Sequence, residues 1–196
     1  MTALHKPPVT RMTLDEFQSW DPGDPSGARW QMIDGEPAAM APGSEGHAAI
    51  QAEAARLLGN HLLESGSQCR VLSELGIVPR VRANFNYRIP DLGVTCSPPS
   101  NDPMVAEPLL LIEILSPSNE TETWSNIWAY TTIPSVREIL ALRSTRIEAE
   151  LLRRGMDGSW PAEPETIGPA GVLTLDSIDV TAPLAALYRT TVLGAV

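Results

Sequence analysis

The run from Pro108 to Leu115, with the sequence PLLLIEIL, constrains the fold more than any other stretch of the chain. Its apolar residues occupy both sets of alternating positions, and Ser116 and Pro117 follow it. A short run that is apolar on both faces is typical of a strand buried in the middle of a sheet. Glu113 interrupts this run. Because an ionised carboxylate there is costly unless it is paired, hydrogen-bonded or bound to a metal, Glu113 is the first candidate functional residue.

A second acid lies upstream, in the segment from Tyr87 to Val94, which predicts a neighbouring strand with Asp91 inside it. Two acids on adjacent strands, separated by one loop, can converge on a single cation, and hard cations prefer carboxylate oxygens. Two structural alternatives stay open. Asp91 can be a turn residue after Pro90, and Glu113 can form an ion pair with an arginine.

The first third of the chain predicts a short helix, a hairpin and a longer helix. Thr13 and Glu16 have the spacing of a capping box at a helix start. The Asp34-Gly35 pair between two short strand-like segments is a strong hairpin signal. From Ser44 to about Ser65 the apolar residues recur with a helical period, which predicts the second helix.

The rest of the chain predicts strands on both sides of a third helix. The expected strands cover Cys69 to Val81, Val136 to Leu142 and Arg146 to Leu152, and the expected helices run from Ser118 or Thr121 to Tyr130 and from Ala182 to Tyr188. This order predicts an α/β fold with a central mixed β-sheet flanked by helices. Residues 1–196 are expected to form a single domain, with 1–11 as a loose N-terminal arm.

The charge of the chain limits how it can meet nucleic acid. The net charge is −10, which argues against binding over a broad basic surface but leaves room for a local basic groove. Of the 14 basic residues, Lys6 is the only lysine. A mechanism that needs a catalytic lysine inside the fold is therefore disfavoured.

The two cysteines, Cys69 and Cys96, have no metal-site spacing and no signal peptide precedes them. They are predicted to be reduced, partly buried thiols of a cytoplasmic protein. No apolar run approaches the roughly 20 residues that a membrane span needs, so no membrane association is expected.

Several short segments form one pattern: Pro90-Asp91, EILSPS from Glu113 to Ser118, Tyr130, and IPSVREIL from Ile133 to Leu140. Together with IDGE from Ile33 to Glu36 and with His47, they resemble the Uma-two family of the PD-(D/E)XK restriction-endonuclease-like superfamily. The resemblance covers about residues 13–188. It implies a mixed sheet flanked by helices, with a Mg²⁺ or Mn²⁺ site at one edge and DNA as the substrate.

The resemblance also implies which residues hold the metal. Asp91 matches the acid of the PD element, and Glu113 matches the acid of the (D/E)XK element. The backbone carbonyl of Ile114 is expected to join the metal shell. Glu74 is the candidate for a third acidic ligand, and Glu36 is the second choice for that role. A metal held in this way can polarise a phosphodiester and lower the pKa of a bound water.

The chain departs from the family pattern at the lysine. Leu115 stands two residues after Glu113, where that lysine is expected, and Asn126 stands where many relatives have a basic residue on the next helix. An arginine cannot act as a general base because it stays protonated. His47 is then the candidate catalytic base beside a metal-bound water, and a capping or core histidine is the alternative.

Three arginines are the candidates for DNA contact. Arg80, Arg82 and Arg88, with Phe85 and Tyr87 between them, are predicted to line a strand that touches a phosphate backbone. Solvated arginines on a hairpin are the alternative.

These observations support more than one function. The first hypothesis is a Mg²⁺- or Mn²⁺-dependent DNA endonuclease, and the second is an inactive nuclease-fold protein that binds nucleic acid or protein. A third is an unrelated α/β domain whose acids form a structural network. A homodimer is also expected, because relatives often dimerise and because one chain has few places to bury all five tryptophans.

Overall fold

The N-terminal elements match their sequence signals. The computed structural model describes residues 11–23, 25 and 27–194, so the predicted arm lies almost entirely outside the described residues. Helix α1 (Leu14–Ser19) begins with the predicted capping box, and strands β1 (Trp30–Ile33) and β2 (Glu36–Ala39) form the predicted antiparallel hairpin. Helix α2 (Glu45–Glu64) follows, and the Ser44 side chain caps it by accepting a hydrogen bond from the His47 amide.

A six-stranded mixed sheet forms the centre of the fold. Its spatial order is β3 (Arg70–Ser73), β4 (Leu92–Thr95), β5 (Pro108–Leu115), β6 (Glu138–Arg143), β7 (Ala149–Arg153) and β8 (Glu165–Ile167). Strands β5 and β6 are parallel, and helix α3 (Glu120–Tyr130) connects them, while the other neighbours are antiparallel. Strands β9 (Val172–Leu175) and β10 (Val180–Pro183) pair separately, and short 3₁₀ helices cover Ala83–Phe85, Asp176–Ile178 and Leu184–Tyr188.

Strand β5 separates two apolar cores, as its two-sided pattern predicts. Ile112 and Ile114 belong to the core that includes residues of α2, and Leu111 and Leu115 belong to the core that includes residues of α3. Because successive side chains of a strand point to opposite faces, Glu113 shares the α3 face with Leu111 and Leu115.

The strand predicted over Tyr87 to Val94 is shorter in the structure. Strand β4 begins at Leu92, so Asp91 lies just before the strand and not inside it. Pro90 has no N–H to donate to a sheet hydrogen bond. Its presence therefore interrupts strand pairing between Arg88, which forms an isolated bridge with Ile77, and the start of β4.

Other boundaries were also wrong, and strand β3 ends at Ser73, well before the predicted Val81. The N-cap of α3 is Asn119, and not Ser118 or Thr121. The predicted helix from Ala182 begins instead as a 3₁₀ helix at Leu184, because pairing with β9 keeps the chain extended through Pro183.

The prediction of free thiols was wrong, because Cys69 and Cys96 form a disulfide. The two residues follow the register of β3 and β4, in which Arg70 pairs with Thr95, so the cysteines lie opposite each other at the sheet edge. Sequence spacing could not reveal this pairing before the strand register was known. The cytoplasmic location stays a prediction, without the support that reduced thiols would bring.

None of the helices in the described part of the chain is both long and apolar enough to cross a membrane. Helix α2, with 20 residues, is long enough to be considered, but Glu53 and Arg56 lie in its middle. Its buried positions pack against the sheet and against the 3₁₀ helix Leu184–Tyr188.

We expect the Cys69→Ser/Cys96→Ser variant to lose about 2–4 kcal/mol of unfolding free energy, because the disulfide closes a loop between residues 27 apart in sequence. Urea unfolding with and without dithiothreitol measures this loss. Reductant should lower the wild-type midpoint to that of the variant and leave the variant unchanged. Equal midpoints of the oxidised wild type and the variant would contradict the expectation.

Candidate active site

The two predicted acids meet beside the central strands. Leu92 of β4 pairs with Ile112 of β5, and one further step of this antiparallel register places Asp91 across from Glu113. The Asp91 Oδ2 atom accepts a hydrogen bond from the backbone N–H of Ile114 at 2.7 Å. The side chain of Asp91 is therefore fastened to β5 directly beside Glu113.

The first turns of α2 hold Asp91 from the other side. Nε2 of His47 lies 3.0 Å from Asp91 Oδ1, and the side-chain amide of Gln51, one helical turn later, donates to the Asp91 carbonyl at 2.9 Å. A Cβ atom at Gly43 would lie 2.7 Å from the His47 ring, so the glycine leaves the space that the ring occupies. His47 and Gln51 together fix the position of Asp91 relative to α2.

Glu113 is 6% exposed and lies under α3. Its Oε1 atom accepts a hydrogen bond of 2.6 Å from the hydroxyl of Tyr130, the last residue of that helix. Burial raises the pKa of Glu113 well above its usual range, and the neighbouring Asp91 carboxylate raises it further, while the hydrogen bond from Tyr130 acts in the opposite direction. The folded protein therefore favours the protonated form of Glu113 more than water does.

This acid pair, Asp91 and Glu113, has the chemistry of a hard-cation site. It supplies carboxylate oxygens on adjacent strands, and the buried Glu113 is the group whose charge a cation would stabilise. Within the described ranges, no group of three or more His, Cys, Asp or Glu side chains is arranged to hold a metal. Two carboxylates suit Mg²⁺, which usually keeps several of its waters and binds through one or two carboxylates.

The third predicted acid, Glu74, contacts Asp91 through its backbone and not through its carboxylate. Its N–H donates to the Asp91 carbonyl at 3.0 Å, and its backbone has a positive φ of 53°. The Glu74 carboxylate forms an ion pair with Arg29. Its role as a metal ligand stays a prediction, as does that of the Ile114 carbonyl, and Glu36 is exposed on β2.

The three predicted DNA-contacting arginines do not share one surface. Arg80 and Arg82 are exposed, and Arg82 has a left-handed backbone and pairs with Asp34 at 2.7 Å. Arg88 is only 4% exposed. The segment between them forms a 3₁₀ helix, where a strand was expected, so Arg88 turns inward.

The sequence alone identified Asn126 only as the residue at the place of a basic residue in relatives, and it did not predict that Asn126 and Asn86 contact Arg88. Arg88 Nη1 donates to Oδ1 of Asn126 at 2.7 Å, and its Nη2 donates to Oδ1 of Asn86 at 2.9 Å. A signal was present for Asn126, because it lies four residues before Tyr130 and hence on the same face of α3. For Asn86 and Gln51 the only signal was proximity to other candidates along the chain.

The sheet order and flanking helices define a restriction-endonuclease-like fold, as predicted. A crystal structure described as "a putative nuclease belonging to DUF820" from Anabaena variabilis has this fold, with a TM-score of 0.74 and 19% sequence identity over 91% of this chain and 98% of that chain. The model of the Uma2 family, described as "Putative restriction endonuclease", matches residues 14–181. The uncharacterized protein slr1290 of Synechocystis sp. is 30% identical over 162 residues, which cover 80% of this chain and 82% of that protein. The chain belongs to the Uma2 family, which confirms the resemblance seen in its motifs.

We expect the Glu113→Gln variant to be more stable than the wild type without metal, and the difference to grow with pH. The folded state raises the pKa of Glu113, so it binds the proton more tightly than the unfolded chain does. The wild type therefore loses stability as pH rises from below 4.5, the ordinary value, through the higher pKa of the folded state, whereas glutamine does not titrate.

Thermal unfolding in EDTA between pH 5 and 8.5 measures this difference. A glutamine at this position can still accept the hydrogen bond from Tyr130, so the comparison isolates the charge. Glu163→Gln, at an exposed loop position, is the matched control and should follow the wild type at every pH. A constant difference between Glu113→Gln and the wild type across this range would contradict the raised pKa.

Proposed function

We propose that this chain is a metal-dependent endonuclease that hydrolyses DNA phosphodiester bonds. The observation that carries the proposal is the acid pair, in which Asp91 is fastened to the Ile114 amide and lies across from the buried Glu113. A structural ion pair is a poorer account of it, because neither acid forms a salt bridge with an arginine among the described residues. Family membership supports the reaction class.

Asp91 and Glu113 would hold a Mg²⁺ or Mn²⁺ ion, with the Ile114 carbonyl as a further oxygen ligand. The ion, when bound, supplies a Lewis acid for the phosphate and a water of lowered pKa. The chain's own residues set the geometry. His47 and Gln51 hold Asp91, and Tyr130 orients the Glu113 carboxylate.

His47 would act as a base through its other ring nitrogen. Its Nε2 atom lies 3.0 Å from Asp91 Oδ1, and because an ionised carboxylate only accepts hydrogen bonds, Nε2 carries the hydrogen and Nδ1 would take the proton. The side chain is 14% exposed, so solvent reaches the ring. This position is consistent with the predicted role as a base and equally with a role in orienting Asp91. His47→Gln separates the two, because glutamine keeps a hydrogen bond to Asp91 but does not accept a proton near neutral pH.

One observation favours the second candidate, an inactive nuclease-fold protein that binds nucleic acid or another protein. Leu115, at the position of the family lysine, is 2% exposed and packed in the α3-side core. An apolar side chain therefore takes the place of the family lysine on the face of β5 that also carries Glu113. Such a protein would bind its partner without turnover.

Plasmid nicking by purified protein in Mg²⁺, Mn²⁺ or EDTA tests the proposal. We expect cutting with either metal and none in EDTA, and we expect Asp91→Ala and Glu113→Gln to lose at least about 100-fold in rate, because each removes a ligand of the metal that activates the water. Glu163→Gln should cut like the wild type. Folded wild-type protein that binds DNA without cutting it would favour the second candidate, and cutting that survives both site substitutions would indicate a contaminant.

DNA binding should weaken as salt rises, because arginines that contact phosphates release counterions, and the net charge of −10 limits those contacts to a local set. Arg80 and Arg82 are exposed and stay the candidates for phosphate contact. Arg80→Ala and Arg82→Ala are expected to weaken binding of all DNA sequences alike and to reduce the salt dependence, measured by fluorescence anisotropy.

We also propose a homodimer. Trp128 is 42% exposed on α3, and its ring lies 6.2 Å from that of Trp124, so this helix presents an aromatic surface. Aromatic residues are enriched in the cores of protein interfaces. Sedimentation equilibrium at micromolar concentration should return about twice the mass of one chain, 21.2 kDa, and a mass of one chain would overturn the proposal.

A further inference from the structure

The acid pair lacks the positive charge that a lysine at position 115 would bring. Leu115 occupies that position in the apolar core, and the only lysine of the sequence, Lys6, lies outside the described residues. Among the described residues, a cation on the α3 side of the site must therefore come from an arginine. Arg88 is the only arginine of the described residues that is buried.

The contacts of Arg88 are unusual for a structural arginine. Both hydrogen-bonded partners, Asn126 and Asn86, are neutral, and no salt bridge to a carboxylate is present among the described residues. The buried Nε atom has no hydrogen-bond partner in that part of the chain. A buried charge without an ion pair is expensive, so a purely structural site would favour an apolar or paired side chain. Arg88 therefore has no carboxylate as a hydrogen-bond partner among the described residues, and the acids that interact with its charge, Asp34, Glu122 and Glu113, do so from farther away.

Helix α3 connects this charge to the acid pair. Asn126 holds the Arg88 guanidinium, and Tyr130, one helical turn later, donates its hydroxyl hydrogen to Glu113. Among the charged groups that interact with Arg88, Tyr130 has the largest effect on its pKa, and Asp34, Glu122 and Glu113 follow in that order. The guanidinium, the two α3 side chains and Glu113 thus form one buried polar group on the same face of the sheet.

We propose that Arg88, held by Asn126 and Asn86, is a positioning residue that supplies the acid pair with the positive charge that a lysine after Glu113 would otherwise bring. This inference rests on the proposed function. Arg88 does not act as a base. Its fixed charge favours the phosphodiester anion beside the acids and offsets the charge that develops there during hydrolysis.

Three variants separate the charge from the shape of the side chain. Arg88→Gln removes the charge and keeps a donor for Asn126, and Arg88→Lys keeps the charge. The double variant Arg88→Gln/Asn126→Lys moves the cation to α3, one turn before Tyr130. Circular dichroism melting first establishes which variants fold.

Two measurements are made on each variant: the Mn²⁺ dissociation constant by titration calorimetry and the single-turnover cleavage rate of a labelled duplex. Arg88→Gln should bind Mn²⁺ at least about threefold tighter, because a repelling charge has gone. It should also cleave about 100-fold more slowly. Tighter metal binding with slower cleavage is a combination that loss of structure does not produce.

Arg88→Lys and the double variant should both return the Mn²⁺ affinity to the wild-type value and the rate to within about tenfold of it. If Arg88→Gln alone does not fold, the double variant still tests the proposal, because it restores a buried cation. Unchanged Mn²⁺ affinity in folded Arg88→Gln, or a folded double variant that cleaves no faster than Arg88→Gln, would overturn the role of Arg88. If both Arg88→Gln and the double variant fail to fold, Arg88 is structural and the proposal falls.

The wild type distinguishes this inference from the proposed function. Wild-type protein that binds Mn²⁺ and cuts no DNA contradicts the nuclease, and the affinity comparison still decides whether Arg88 acts on the acid pair. Wild-type protein that binds no Mn²⁺ contradicts both.

Discussion

The burial of Glu113 beside Asp91 is the interaction on which the rest of the site depends. An acid in the middle of a two-sided apolar strand is unfavourable in the folded protein, and a second carboxylate across the sheet makes it more so. The surrounding structure supplies partial compensation through Tyr130 and the Ile114 amide. A site that costs stability in this way is typical of function, because a chain selected for stability alone would place an apolar residue there.

Each of two helices holds one acid of this pair. The first turns of α2 fix Asp91 through His47 and Gln51, whereas α3 fixes Glu113 through Tyr130. The sheet itself sets the distance between the acids, since Asp91 and Glu113 lie at neighbouring positions of one antiparallel register. A change in the packing of either helix would therefore change the geometry of one acid without moving the other.

The parts that the sequence predicted correctly are those with local physical causes. The capping box at Thr13, the Asp34-Gly35 turn and the two-sided apolar run of β5 each depend on residues close together in the chain. The larger errors concern contacts between segments that are distant in the sequence. The pairing of Cys69 with Cys96 and the inward turn of Arg88 follow from strand register and from a 3₁₀ helix, and neither has a local signal.

The sequence by itself determined that one acid is buried in the central strand, that a second acid lies upstream in the segment of a neighbouring strand, and that the usual lysine is absent. These are properties of residue type and order. Only the tertiary structure decided that Arg88 is buried, that it interacts electrostatically with Glu113 and that Asn126 holds it. The physical reason is that a charged side chain finds its partners through the packing of the whole chain. Arg88 and Asn126 lie 38 residues apart, and that spacing does not encode the distance between them in the fold.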